Sequence, residues 1–150
     1  DAIGADHVLF SFHGIPVNHH ECLGEQCVPT CYRGQCVTTT NLLARAAGIT
    51  DFTLAFQSRI KGQKWIKPYT EDVLVELAQR GVKRLAVSCP SFVADCLETI
   101  EEIGLRAAET FVEAGGEKLA LVPAVNAHPD FIAALARDLQ AAESPRASSA

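Results

Sequence analysis

Three sets of residues in this 150-residue chain have types and spacings suited to chemistry. The first is His13, in Ser11-Phe12-His13-Gly14-Ile15-Pro16. An imidazole accepts a proton near neutral pH, yet a lone loop histidine just as readily serves as a partner for neighbouring backbone. The second set is Asp95, Glu98 and Glu102, spaced i, i+3, i+7, which predicts one shared helical face. Carboxylates crowded on one face repel, so at least one should hold its proton more tightly where the site is partly dry. Such a row opposite an imidazole would accept protons or hold a hard divalent metal in passing. The bland reading stands beside it: Asp95 and Glu98 have capping-box spacing, and acids favour a helix N-terminus in any case. The third set is Cys22, Cys27, Cys31 and Cys36, with gaps of four, three and four residues. Four thiolates are what zinc or an iron–sulfur cluster requires, and gaps this wide suit a [2Fe-2S] rhomb better than a zinc knuckle. A loop that simply carries several free thiols is the alternative. Cys89 and Cys96 read as small buried residues.

The elements that must position these groups follow from the apolar pattern. Asp6 to Phe10, in a strand ending at or near His13, and Phe52 to Phe56 are apolar runs of buried-strand length, as are Lys83 to Cys89 and Lys118 to Val125. Between them lie helical stretches. Thr38 to Ala47 is closed by Gly48, and a helix capped at Thr70 buries Val73, Leu74, Leu77 and Ala78 before Gly81. A long helix over Asp95 to Ala114 carries the stripe Leu97, Ile100, Ile103, Ala107 and Phe111, and a last helix runs from Pro129 to about Ala142. The cysteine-rich stretch, about residues 17–36, reads as an irregular loop. Strand and helix alternate four times, which predicts right-handed crossovers and a three-layer αβα, Rossmann-like domain. Its four-stranded parallel sheet should have the order 2-1-3-4. That order puts the switch point between strands 1 and 3, so His13 and the 89–98 segment should face each other across the crevice. Trp65 leaves strand 2 on the same rim; a single tryptophan is usually core, but there it would suit stacking on a flat ligand.

Composition narrows the classes. Hydrophobic residues make up 48% and charged residues 21%, ordinary for a globular domain with its own core. A net charge of −5 with no basic face argues against nucleic acid as the main partner. No run of 18 apolar residues and no signal-peptide pattern is present, and the cysteine usage fits a cytoplasmic protein better than a secreted disulfide framework. The chain contains no methionine and begins at Asp1, so it is expected to be a fragment with sequence missing before residue 1.

Four stretches, taken in order, resemble the C-terminal half of the ferrochelatase family. They are Ser-Phe-His-Gly-Ile-Pro (11–16), Phe-Gln-Ser-Arg (56–59), Trp-Ile-Lys-Pro-Tyr-Thr (65–70) and the run from Cys89 to Ile103; Pro123-Ala124-Val125-Asn126 before a helix also fits. The resemblance implies a chelatase-like domain over residues 1–142 with a disordered tail over 143–150. It implies a lyase of porphyrin and haem biosynthesis that inserts Fe²⁺ into protoporphyrin IX, in a cleft between two similar halves. Its partners would be protoporphyrin IX, ferrous iron and the N-terminal half of the same protein. The fragment alone would be inactive, and peripheral membrane contact or homodimerisation would be compatible. By the same resemblance His13 and Glu98 are the catalytic pair and the contacts of the incoming Fe²⁺. Asp95 and Glu102 form the acidic path for metal or protons, while Trp65 and Ser58 bind substrate. Cys96 stands where some relatives carry a histidine, so no second imidazole is expected there. Some bacterial members carry a [2Fe-2S] cluster on an internal cysteine-rich insertion, which implies Cys22, Cys27, Cys31 and Cys36 as its ligands, with a structural or sensory role. Two other readings remain: an iron–sulfur or zinc sensor module on the same scaffold, and a short homodimeric cobalt or sirohaem chelatase. The tryptophan loop and the 89–103 motif favour iron insertion over the short chelatase.

Overall fold

A computed structural model describes residues 4–19 and 31–143. Four parallel strands, β1 (His7–His13), β2 (Phe52–Gln57), β3 (Arg84–Ser88) and β4 (Lys118–Leu121), form one sheet of order β2-β1-β3-β4. The helices are α1 (Tyr32–Ala47), α2 (Thr70–Gln79), α3 (Leu97–Ile100), α4 (Ala108–Glu113) and α5 (Pro129–Glu143), with a π-helical segment, Glu102–Ala107, joining α3 to α4. This is the expected three-layer αβα, Rossmann-like arrangement with its 2-1-3-4 order.

Alternation along the central strand explains both layers. Leu9 and Phe10 point to opposite faces of β1, and both are buried. Leu9 joins Leu74 and Leu77 of α2, Leu85 and Val87 of β3, and Ile103 and Phe111 of the π–α4 stretch. Phe10 and Phe12 join Cys36 and Ala44 of α1, with Phe56 and Ile66, on the other face. A strand sealed on both faces is largely apolar, and the two polar residues within 7–12, His7 and Ser11, are buried with hydrogen bonds to Thr53 and Gln57. Each fully buried Leu or Phe contributes about 1.5–3 kcal/mol. The four apolar positions read from the α2 sequence are all buried.

Three expectations need correction. Helix α1 starts at Tyr32, six residues before the expected Thr38, because Cys31 acts as N-cap and its sulfur accepts the Gly34 N–H at 3.2 Å. The supposed loop over 17–36 therefore ends early: Cys36 lies inside α1, and Val17–His19 is a short 3₁₀ turn. Secondly, β4 stops at Leu121 instead of Val125. Thirdly, the helix expected over 95–114 starts at Leu97, with Cys96 as N-cap, and loses its α register in the middle. The Arg106 N–H reaches the Glu101 carbonyl at 3.0 Å, an i→i+5 bond that inserts an extra residue into the turn. The phase shift splits the predicted stripe. Ile103, Ala107 and Phe111 face the core, whereas Leu97 is 76% exposed and Ile100 is 54% exposed. Thr99 takes the buried position in their place.

The two ends of that stripe should respond very differently to truncation. Phe111→Ala is expected to cost about 3–5 kcal/mol in chemical denaturation, and Leu97→Ala no more than about 0.5 kcal/mol. Comparable losses at the two positions would contradict the π-shifted register.

Candidate active site

His13 is the last residue of β1, at the carboxyl rim of the sheet. Its Nδ1 lies 2.6 Å from the Gly14 carbonyl oxygen. A carbonyl only accepts, so Nδ1 carries a proton, and Nε2 is the ring nitrogen left to exchange one. Among the described residues no hydrogen-bond partner is seen at Nε2. The backbone is fixed on both sides: the His13 N–H donates to Ser91 Oγ at 3.0 Å, and Tyr32 Oη donates to the His13 carbonyl at 2.6 Å. The ring sits between Trp65 and Phe92, at centroid distances of 6.4 and 6.1 Å.

The chain that follows His13 is zipped to the tryptophan loop. Val17 N–H bonds the Lys64 carbonyl, Ile66 N–H bonds the Ile15 carbonyl, and Pro16 bridges Trp65 antiparallel. Gly14 is required by the closeness of this packing. A Cβ there would stand 2.9 Å from the Gln57 carbonyl oxygen and 3.3 Å from the Trp65 ring. The open stacking surface expected at Trp65 is corrected by the same packing. Trp65 is 6% exposed and donates its indole N–H to the Ile60 carbonyl at 2.9 Å, so its ring is buried beside His13 and not open for stacking.

The acidic residues do not form one helical row. Asp95 precedes the N-cap, and Glu102 opens the π segment, so a shared α-helical face from 95 to 102 does not exist. The expected capping box is also displaced by one residue, since the Cys96 N–H donates to Thr99 Oγ1 at 3.0 Å. Asp95 forms a reciprocal clasp with Asn126. Its N–H donates to Asn126 Oδ1 at 2.9 Å, and Asn126 Nδ2 returns to Asp95 Oδ2 at 2.8 Å. Asn126 adopts φ 48, a left-handed conformation that asparagine tolerates. The Asn126 amide, then the Ala124 N–H and Thr99, hold the Asp95 carboxyl below its ordinary value. Glu102 is engaged as well: Ser58 N–H donates to Oε1 at 2.7 Å and Ser58 Oγ to Oε2 at 2.6 Å. That double grip holds Ser58 at φ 63, where a non-glycine residue is otherwise strained. Ser58 is thus committed to Glu102. Glu98 stands apart from these clasps. The Cys96 thiol, its own N–H and the charge of His13 hold its carboxyl below the ordinary range. A raised proton affinity is the expectation for at least one carboxylate of the row; Asp95 and Glu98 shift the other way, because nearby donors outweigh desolvation.

Sequence reasoning passed over several residues that complete the site. Gln57 is 3% exposed and joins Ser11, Cys89, Glu98 and Glu102. Its only sequence signal was its place at the end of a strand within Phe-Gln-Ser-Arg. Tyr32, Ser91 and Phe92 converge on His13 from α1 and the β3 exit loop, and Asn126 reaches Asp95 from 31 residues away.

Of the four clustered cysteines, Cys22 and Cys27 lie outside the described residues. Cys31 sits at the α1 N-cap, its sulfur accepting the Gly34 N–H. Cys36, one turn on, is 2% exposed, and burial pushes its thiol up to about 11, with the Cys31 charge adding to the shift. Among the described residues no three His, Cys, Asp or Glu side chains gather closely enough to hold a metal ion.

The Asp95 clasp sets a pH dependence. Its folded pKa lies below the unfolded value, so the stabilisation is complete above that value and is lost as pH falls through the folded pKa. Asn126→Ala removes the largest donor. The Asp95 titration followed by NMR should move up toward 3.8, and acid unfolding should begin at higher pH. An unmoved titration would show that Asn126 does not hold this carboxylate.

Known proteins resemble this chain in sequence and in fold. A sequence profile described as ferrochelatase matches residues 1–142. The chain is 48% identical over 153 aligned positions to a ferrochelatase of Pseudomonas putida strain KT2440, covering 89% of this chain and 45% of that protein. It is 50% identical over 150 positions to one of Ectopseudomonas mendocina, covering 88% and 44%. The chain thus spans less than half the length of these curated relatives. Among solved structures, a cobalamin (vitamin B12) biosynthesis CbiX protein from Marinobacter aquaeolei superposes with a TM-score of 0.53, covering 91% of this chain and 95% of that one. At 12% identity that likeness concerns the chelatase-like fold alone. With the sequence match spanning the sheet, the His13 rim and the acidic segment together, the chain belongs to the ferrochelatase family.

Proposed function

We propose that this chain is the half of a ferrochelatase that supplies the proton acceptor and the acidic side of the site, and that the complete protein inserts Fe²⁺ into protoporphyrin IX. The observation that carries the reading is the His13 tautomer. Nδ1 is bound to the Gly14 carbonyl, so a basic Nε2 is available on the rim, within electrostatic reach of Glu98.

Metal insertion releases two protons: porphyrin with two pyrrole N–H groups and Fe²⁺ gives the iron porphyrin and two H⁺. In this proposal His13 Nε2 takes the pyrrole protons in turn and passes each to Glu98 or water, with a contribution of about 10²–10⁴-fold as a general base. Glu98, held anionic, receives the Fe²⁺ cation, and His13, with one lone pair at Nε2, contacts the cation only until that nitrogen takes a proton. Asp95 and Glu102 lend negative charge to the approach while serving as clasps. Trp65 and Phe92 fix the imidazole plane, and Ser58 acts on substrate through Glu102. The cytoplasmic location expected from the cysteine usage belongs to the same proposal. Cys22, Cys27, Cys31 and Cys36 would hold a [2Fe-2S] cluster, which would supply a structural or redox-sensing group outside the insertion chemistry. Its support is the shared setting of Cys31 and Cys36 at the start of α1.

In the full-length protein, His13→Ala should lower the rate of iron insertion at least about 100-fold while porphyrin binding, followed by fluorescence quenching, persists. Undiminished turnover would remove His13 from its role. For the cluster, protein purified without oxygen should contain about two irons and two acid-labile sulfides, with thiolate-to-iron absorption. A colourless protein holding a single zinc would overturn that assignment.

A further inference from the structure

Resting on the iron-insertion reading, we infer that Gln57 is the positioning residue that sets the spacing between His13 and Glu98. It is the β2 residue paired with His13 in the sheet register, and its carbonyl accepts the Gly14 N–H at 2.8 Å. Its side chain grips the opposite wall, where Nε2 donates to the Glu98 carbonyl at 2.7 Å and lies 3.5 Å from Glu102 Oε2. One residue therefore spans the crevice, its backbone bound to the histidine loop and its side chain to the turn that carries the glutamate.

The direction of the amide is forced by its neighbours. Ser11 Oγ donates to Gln57 Oε1 at 2.7 Å, and the Cys89 thiol does so at 3.4 Å. Burial pushes that thiol up to about 12, so it remains a donor. Ser11 Oγ is in turn 2.8 Å from Thr70 Oγ1 of α2. With Oε1 occupied by donors, Nε2 must face the two acceptors. Ser11, Gln57 and Thr70 are all at most 3% exposed, so a lost partner here is not replaced by water. Core packing alone does not call for this arrangement. An apolar residue of the same size would fill the space beside Ser11 and Cys89 and leave the Glu98 turn untethered.

The test uses full-length protein carrying Gln57→Ala, Gln57→Glu or Thr70→Ala. Gln57→Ala should reduce kcat for iron insertion about 10- to 100-fold, with the KM for porphyrin changed by less than about twofold. Gln57→Glu keeps the shape but donates to the Glu98 carbonyl only when protonated. Its activity relative to wild type should therefore rise as pH falls. Thr70→Ala, one bond further out, should leave the pH profile as in wild type. The inference is overturned if Gln57→Glu follows the wild-type pH profile, or if Gln57→Ala lowers kcat, porphyrin affinity and melting temperature together. An inactive wild type would sink the iron-insertion reading instead. Gln57 is then judged by the NMR shifts of the His13 ring, which move in Gln57→Ala if it sets this spacing and stay in place if it does not.

Discussion

Parallel pairing of β1 between β2 and β3 is the constraint on which the rest of the molecule depends. The pairing holds His13 opposite Gln57 and brings the exits of three strands to one rim. It also buries both faces of β1, so that α1 covers one side and α2 with the π–α4 stretch the other. His13, at the end of the strand, is less buried than Leu9 to Phe12 before it and stands free of the core. A parallel sheet concentrates such strand ends along one edge, which is where this fold places its chemistry.

The acidic segment holds two loops in place. Asp95 is surrounded by donors from Asn126, Thr99 and the Ala124 N–H, and Glu102 by the backbone and hydroxyl of Ser58. The donors that fix the loops also keep the Asp95 charge in place. Mutual repulsion, taken alone, predicts the opposite shift, because it ignores what the rest of the chain contributes at the same point. Glu98 keeps a looser setting, its carboxylate held down chiefly by the Cys96 thiol.

The strands, their order and the inward positions of α2 were legible because burial writes a periodic signal into neighbouring residues. His13 was legible for a related reason: an apolar run that ends in His-Gly marks a strand reaching its rim. The start of α1 was not, since a cysteine in the N-cap position with Gly34 behind it looks like loop chemistry. Nor was the phase shift after Ile100. A π turn leaves local composition unchanged and shows only in which side chains the sheet can accept.

By itself the sequence determined the alternation of strands and helices, the parallel sheet and the family, because each rests on local periodicity or on residues close together in the chain. Tertiary structure alone decided the tautomer of His13, the burial of Trp65, the partners of Asp95 and Glu102, and the bridge through Gln57. Those depend on hydrogen bonds between residues up to 78 positions apart, as from His13 to Ser91. Hydrogen-bond geometry over such separations follows from how the layers close, and no spacing along the chain encodes it.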